Sequence, residues 1–350
     1  MRWNDIYISS CAVELGRKED TEVAVAEGRY GAREAAANGY LSTRVVDDLP
    51  AVELAVRAAK LALSRGEAGV ADIDLVVHSS CGHQGLDHFA PASYVQSRAL
   101  GGGTAAALEV KQASSGGLAG LEMAAAYLNV CSDNAAALLT ASDVFRLPRF
   151  DRYRSDDGVV YADGGTGLVL SRAGGVARLL STCLLSDGEF GAFHAGEVLG
   201  GELGEPADGP LDVSTRRQEQ YLVENGELLM KLVDSIAVQQ LASIAGALAH
   251  AGMGLKDITR WVFTNVGETM VDPQFRADMG ISDAMTTWEW GRRTGHLGAA
   301  DQIAGLTYLL ESGEVRRGDH VALCGIGMGF TYACAVVEIL DEPDWSLSAA

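Results

Sequence analysis

The stretch Val110-Lys-Gln-Ala-Ser-Ser-Gly-Gly-Leu-Ala-Gly-Leu121 reads as the end of a strand, a corner of small residues and the start of an alanine- and glycine-rich helix. A side chain at such a corner stands beside backbone N–H groups and the positive end of a helix. An oxygen nucleophile there would find donors for an oxyanion, so Ser114 is placed for attack on an activated carbonyl. The bland alternative is an N-cap, the commoner use of a serine just before a helix. A hydroxyl, unlike a thiol, is not activated by a helix end alone; it needs an adjacent general base.

Other constellations carry less. His78, Cys81, His83 and His88 fit no common zinc spacing, and no metal is expected. Gly101-Gly-Gly103 is too short for a phosphate-binding fingerprint and reads as a turn, while His194, His250 and His320 read as structural or surface residues. The run Arg146-Leu-Pro-Arg149-Phe-Asp-Arg152-Tyr-Arg154 is a basic island in an acidic chain, whose 27 Lys and Arg against 47 Asp and Glu give −20 and a pI near 4.7. That charge repels phosphate backbones and anionic lipids, which argues against nucleic-acid and membrane-surface roles. Six cysteines without a CxxC pair, and an amino terminus without a signal pattern, fit a reduced, cytoplasmic protein. Ser235 to Leu255 carries no charge, but Gln239, Gln240, Ser243 and His250 make it a buried or amphipathic helix rather than a bilayer span.

The elements that must position these residues occur twice. The sequence 71–77 resembles 256–262, Ala119-Gly120-Leu121 returns as Ala304-Gly305-Leu306, and Ala137-Leu138 as Ala322-Leu323, always 185 residues apart. Each half shows a helix (51–66, 235–251), a short strand (73–79, 258–264), an Ala/Leu/Gly-rich helix (115–129, 300–312) and a buried strand (134–141, 319–325). Alternating strands and helices predict α/β layers, here two similar halves, 1–175 and 176–350, packed together. Residues 199–219 read as an exposed excursion. Glycine, 42 of 350 residues against a usual share of about 7%, gathers around 116–120, 164–167 and 325–329, where backbone would approach a substrate.

Over nearly its whole length the chain resembles the β-ketoacyl-acyl-carrier-protein synthase III family. The resemblance rests on Pro91-Ala-Ser-Tyr-Val-Gln96, Ser142-Asp143, Tyr161-Ala-Asp-Gly-Gly-Thr-Gly-Leu-Val-Leu170, Ser181-Thr-Cys-Leu-Leu-Ser-Asp-Gly188, Asn225-Gly226 and Gly325-Ile-Gly-Met-Gly-Phe330. It implies a thiolase fold of duplicated α-β-α-β-α layered halves, a homodimer, and a phosphopantetheine-linked acyl donor on acyl carrier protein or coenzyme A. It also implies that residues 80–90 line the acyl pocket of a partner subunit and that the arginine run lies near the pantetheine tunnel. Arg152 or Arg154 would then contact the pantetheine phosphate or an acidic carrier protein. The tryptophan and arginine with which the family stacks adenine have no match before residue 50, which favours a carrier-protein donor.

Three departures from the family pattern carry the functional reading. The nucleophilic Cys is replaced by Ser114, the His of a His-Gln-Ala-Asn motif by Asn265, and the Asn of a Gly-Asn-Thr-Ser motif by His296, with Asp301 five residues on. A serine nucleophile requires a base oriented by a carboxylate, and Ser114, His296 and Asp301 supply that combination. The resemblance further implies an oxyanion hole from the backbone N–H groups of Ser114 and Met328. Asn265 is left either orienting an acceptor near Ser114 or satisfying local backbone. Loss of the His and Asn that stabilise an enolate weakens carbon–carbon bond formation. The implied activity is acyl transfer, similar to synthase-III-like acyltransferases of antibiotic pathways that move polyketide acyl groups from a carrier protein or polyketide synthase to a small-molecule acceptor, a sugar or aminocyclitol. A serine-type starter-unit ketosynthase using malonyl carrier protein is the near alternative, and a non-catalytic partner subunit the third.

Overall fold

A computed structural model describes residues 1–191, 209–215 and 226–347. His194, Asn225 and most of 199–219 lie outside the described residues. The strands are β1 (Tyr7–Leu15), β2 (Arg17–Asp20), β3 (Ser42–Val45), β4 (Ile73–Ser79), β5 (Ala106–Val110), β6 (Ala136–Asp143), β7 (Gly164–Ser171), β8 (Ala177–Ser186), β9 (Arg260–Val262), β10 (His320–Gly327) and β11 (Thr331–Ile339). The helices are α1 (Thr21–Ala26), α2 (Ala32–Asn38), α3 (Ala51–Arg65), α4 (Pro91–Leu100), α5 (Gly116–Leu128), α6 (Gly226–Ala251), α7 (Pro273–Asp278), α8 (Trp288–Gly291) and α9 (Asp301–Glu311).

Nine strands form one sheet in the order β5-β4-β6-β7-β1-β8-β11-β10-β9, with β2 and β3 as a separate ribbon. The order of pairing is the same on both sides of β1 and β8. Strand β4 runs parallel to β6 and β9 parallel to β10; β6 pairs antiparallel with β7 and β10 with β11. The two sides join through only two residue pairs, Tyr7–Arg178 and Ile8–Ala177, which lets the sheet fold over a central layer. That layer is α5 and α9: α5 touches β4 and β6 on one side and β8, β10 and β11 on the other, and α9 touches β1, β7, β9 and β10. Helix α3 covers β1, β6 and β7 outside, and α6 covers β8 and β11, giving five layers.

A strand covered on both faces is buried along its whole length, as in Ala136–Asp143, which is apolar from Ala136 to Leu139 and carries its polar residues, Thr140, Ser142 and Asp143, toward the end near the site. Leu118, Leu121, Leu128, Ile303, Leu306 and Leu309 of the central helices fill the core against Leu75, Leu139, Leu323 and Val337. Each such side chain contributes about 1.5–3 kcal/mol by leaving water.

The 185-residue repeat has physical content. Gly69 N–H donates to Asp72 Oδ2 at 2.7 Å, and Gly254 N–H to Asp257 Oδ2 at 2.8 Å, so the same capped turn opens β4 and precedes β9. A Cβ on Gly120 would stand 3.2 Å from Val77 Cγ1, and one on Gly305 would stand 2.3 Å from Val262 Cγ1; each glycine lets a central helix close on its strand. The glycines at 164–167 correct an expectation. A Cβ on Gly165 would lie 2.8 Å from the Leu54 carbonyl carbon and one on Gly167 2.6 Å from the Ala58 oxygen, so they seat α3 on β7 rather than approach a substrate.

Lys231–Ala251 is long and apolar enough to cross a bilayer by length and composition. It lies along β8 and β11 with Ile244, Ala247 and Leu248 buried. The expectation of an exposed excursion holds for Gly209, Pro210, Asp212 and Thr215 and fails at Val213 and Ser214. Val213 is buried, its N–H donates to Ser155 O at 2.7 Å, and Ser214 Oγ accepts from Asp157 N–H at 2.7 Å.

Candidate active site

The chain leaves β5 through Ala113, whose φ of +44° lies in the left-handed region that costs a residue with a Cβ about 1–2 kcal/mol. This sharp corner turns Ser114 inward just before α5. Ser115 Oγ fastens it by donating to Thr331 O at 3.0 Å. The loop between β10 and β11 lies directly against the corner: a Cβ on Gly327 would be 2.2 Å from Gln112 O and 3.0 Å from Ser115 N. Glycine at 327 is therefore what lets this loop close on the corner, and Met328 and Ser114 both line the same cavity.

His296 arrives from the other half. Its N–H donates to Val160 O and its carbonyl accepts from Ala162 N–H, both at 2.8 Å, so the main chain that carries the ring is held on both sides. Ser114 Oγ lies 2.7 Å from His296 Nε2, and His296 Nδ1 lies 2.5 Å from Asp301 Oδ2. With a carboxylate at Nδ1 the neutral ring carries its proton there, leaving Nε2 free to accept from the serine. Asp301 is the first residue of α9 and accepts from Leu297 N–H at 2.7 Å and Asn265 N–H at 2.8 Å. The three side chains are nearly enclosed: Ser114 is 7% exposed, His296 2% and Asp301 1%.

Asn265 resolves toward the carboxylate. Its Nδ2 donates to Asp301 Oδ1 at 3.3 Å and to Gly295 O at 3.1 Å, so it steadies Asp301 rather than facing Ser114. Burial of His296 opposes the imidazolium, but the charge and hydrogen bond of Asp301, with the charges of Asp156 and Asp143, outweigh it and raise the pKa above its ordinary value. The Tyr161 ring lies on that of His296, centroids 5.0 Å apart, and its hydroxyl donates to Asp156 Oδ2 at 2.8 Å.

Ser114 and His296 open into a cavity of about 920 Å³. Its lining is mostly apolar, with Ile236, Phe263, Phe275, Ile326 and Phe330, and includes the polar Tyr161, Asp156, Asp157 and Ser214. The expected arginines are not in it. Arg152 is buried, pairs with both oxygens of Asp163 at 3.2 and 2.9 Å, and donates to the Arg44 and Tyr161 carbonyls. A buried guanidinium paired with a carboxylate that is 0% exposed is not presented to a docking partner, so Arg152 holds the fold together here. Arg154 is exposed and donates to the Gly28 carbonyl. Among the described residues, the arginine that lines the cavity is Arg276 of α7, which lies over the Phe263 ring at 5.2 Å and 3.6 Å from the exposed Asp283. Nothing in the sequence around residue 276 marks it, because an isolated arginine in a short helix carries no pattern.

His78 is no ligand: Nδ1 lies 3.0 Å from Thr140 Oγ1 and Nε2 3.1 Å from Gln84 Oε1, and burial pushes its pKa down to about 4.

Residues 248–339 match the family model for the C-terminal part of 3-oxoacyl-[acyl-carrier-protein] synthase III. The β-ketoacyl-[acyl-carrier-protein] synthase III of Roseiflexus castenholzii is 28% identical over 290 residues, covering 81% of this chain and 82% of the relative. The solved structure of ChlB3, an acyltransferase, is 33% identical and superposes with a TM-score of 0.90 over 97% of this chain and 99% of that one. The 3-oxoacyl-(acyl carrier protein) synthase III of Pseudomonas aeruginosa, 21% identical with a TM-score of 0.74 over 96% and 99% of the two chains, shares the fold. On this identity and coverage the chain belongs to the β-ketoacyl-acyl-carrier-protein synthase III-like family of thiolase-fold enzymes.

Proposed function

We propose that this chain is an acyltransferase that carries an acyl group on Ser114. The observation that carries the reading is the buried relay from Ser114 Oγ to His296 Nε2 at 2.7 Å and from His296 Nδ1 to Asp301 at 2.5 Å. Ser114 Oγ attacks the thioester carbonyl and gives its proton to His296, while the backbone N–H groups of Ser114 and Met328 hold the oxyanion. Collapse expels the donor thiolate, which takes the proton back from imidazolium. His296 then deprotonates an incoming hydroxyl or amine, which attacks the acyl-serine ester, and the imidazolium returns that proton to Ser114 Oγ as the serine leaves.

The acyl donor is a phosphopantetheine thioester, on a carrier protein or coenzyme A, and the acceptor a sugar or aminocyclitol of a polyketide antibiotic pathway. Arg276 at the cavity, rather than Arg152, is the group suited to the phosphate. The orientation of Asn265 favours transfer over condensation: with its amide spent on Asp301 and Gly295, it offers no donor to an enolate. A homodimer fits strand β5, the edge of the nine-stranded sheet, which exposes Leu108 and a row of unpaired backbone groups.

The test is intact-protein mass spectrometry after incubation with a panel of acyl thioesters. A mass gain that maps to Ser114 and disappears in Ser114→Ala is expected; an adduct that survives that substitution overturns the reading. Release of carbon dioxide and a β-ketoacyl product from malonyl carrier protein would instead assign the starter-unit ketosynthase. A chain that takes up no acyl group from any thioester would be the non-catalytic partner.

A further inference from the structure

Asp143, the last residue of β6, is 0% exposed and lies outside the Ser114–His296–Asp301 relay. Its carboxylate reaches backbone from two separate loops. Cys81 N–H lies 3.0 Å from both oxygens, Gly82 N–H donates to Oδ1 at 2.7 Å, and Ala299 N–H to Oδ2 at 3.3 Å. Cys81 and Gly82 follow β4; Ala299 sits between His296 and Asp301 in the turn that opens α9. That turn comes so close that a Cβ on Gly298 would be 2.3 Å from Asp143 Oδ2, which, with a φ of +63°, restricts position 298 to glycine. The same turn rests on the nucleophile helix, since a Cβ on Gly117 would meet Ala299 O at 2.6 Å.

We propose that Asp143 is a positioning residue for acylation of Ser114, strapping the Cys81–Gly82 turn to the His296–Asp301 turn and acting on His296 through its charge. The inference rests on the acyl-Ser114 reading. The groups that face His296 are Ser114 on the α5 side, Asp301 on α9, Asp156 and Tyr161 on the segment before β7, and Asp143 at the end of β6. Asp143 itself faces the Cys81 thiol, which burial and the neighbouring carboxylates push well above its ordinary pKa, and His296. Burial lifts the Asp143 carboxyl to about 6 against the pull of the Gly82, Cys81 and Ala299 amides and the His296 charge. Its charge therefore appears within the working range of an imidazole base.

The experiment compares wild type and Asp143→Asn in single-turnover acylation of Ser114 by a small acyl thioester, from pH 5 to 9, with thermal unfolding as the folding control. An amide places N–H groups against backbone N–H donors, so acylation at neutral pH should fall by about tenfold to a hundredfold through misplacement of the His296 turn. The acid limb of the rate profile should also move to lower pH, because one charge favouring imidazolium is gone. A folded variant within twofold of wild type, with an unmoved acid limb, overturns the proposal. A second measurement needs no variant: in wild-type protein with ¹⁵N-labelled histidine, the His296 ring signals should show a second inflection as Asp143 takes up its proton. A single-step His296 titration overturns the coupling whether or not the substituted protein folds. Absence of any Ser114 adduct in wild type would sink the acyl-enzyme reading instead, and the histidine titration, made without thioester, would still report on Asp143.

Discussion

Replacing Asp301 by Asn tests the relay at its most constrained atom. The carboxylate takes four hydrogen bonds: His296 Nδ1 at 2.5 Å and Asn265 N–H at 2.8 Å on Oδ2, Leu297 N–H at 2.7 Å and Asn265 Nδ2 at 3.3 Å on Oδ1. An amide keeps one oxygen. With its nitrogen in the Oδ1 position, two donors lose their acceptor, each at about 1–3 kcal/mol. With its nitrogen in the Oδ2 position only Asn265 N–H does, and the new N–H donates to His296 Nδ1. The second arrangement wins, and it forces the ring proton onto Nε2, which then points a donor at Ser114. The base is lost with the geometry nearly intact, so acylation should slow by roughly 10⁴-fold, about 5 kcal/mol of barrier. The pH profile gives a second reading. Asp301 is the largest influence raising the His296 pKa, against burial, so whatever rate survives should have its acid limb at lower pH than wild type. The assay is time-resolved intact mass of acyl-Ser114 from a small acyl thioester. Acylation within tenfold of wild type, with an unmoved acid limb, would refute the argument that Asp301 sets the tautomer of His296.

Gly117→Ala places a methyl 2.6 Å from the Ala299 carbonyl, which is backbone and must move. Thermal unfolding should show a loss of about 1–3 kcal/mol, and acylation should fall with it as the turn carrying His296 is pushed from Ser114. Unchanged acylation would show that the turn is not held by this contact. Arg276→Ala should raise KM for a carrier-bound thioester more than for a small mimic and leave the unfolding midpoint near wild type. Arg152→Ala should instead destabilise the protein by about 3–5 kcal/mol, because it leaves the buried Asp163 without its counter-charge. The reverse pattern would restore Arg152 as the docking residue.

Much of the architecture is legible in the sequence because periodicity and repetition are local properties. The expected helix at 51–66 and strand at 73–79 coincide with α3 and β4, and the repeated Gly-x-x-Asp at 69–72 and 254–257 marks the same capped turn. The meeting of Ser114 with His296 across 182 residues was open to inference only because the family pattern supplies the third dimension. The misses share a cause. Arg152 reads as a docking charge in a basic run, and its partner Asp163 sits in a glycine-rich turn that reads as backbone; only their approach makes both structural. Asn265 could have faced either way, and its direction is decided by Asp301, 36 residues on. Arg276 gains meaning from the cavity, which no stretch of sequence contains.

Duplication explains why a serine can stand where relatives use cysteine. Helices α5 and α9 begin at Gly116 and Asp301, equivalent points 185 residues apart, and both starts converge on one spot because the two helices form the central layer. A single helix end stabilises a nearby anion by about 0.3–1 kcal/mol. That adds to the thiolate fraction of a thiol whose pKa is already about 8.5, and falls far short of ionising a hydroxyl. The second helix start contributes something of another kind. Its first residue is the carboxylate Asp301, the chain entering it carries His296, and the turn between them, tied to Asp143, fixes both. In the proposed mechanism, proton removal by His296 replaces ionisation by the field, while the field at the start of α5 is kept for the oxyanion. On this argument Ser114→Cys should acylate even with His296→Ala beside it, whereas His296→Ala alone should not; a silent double variant would mean that the α5 helix end does not act on residue 114.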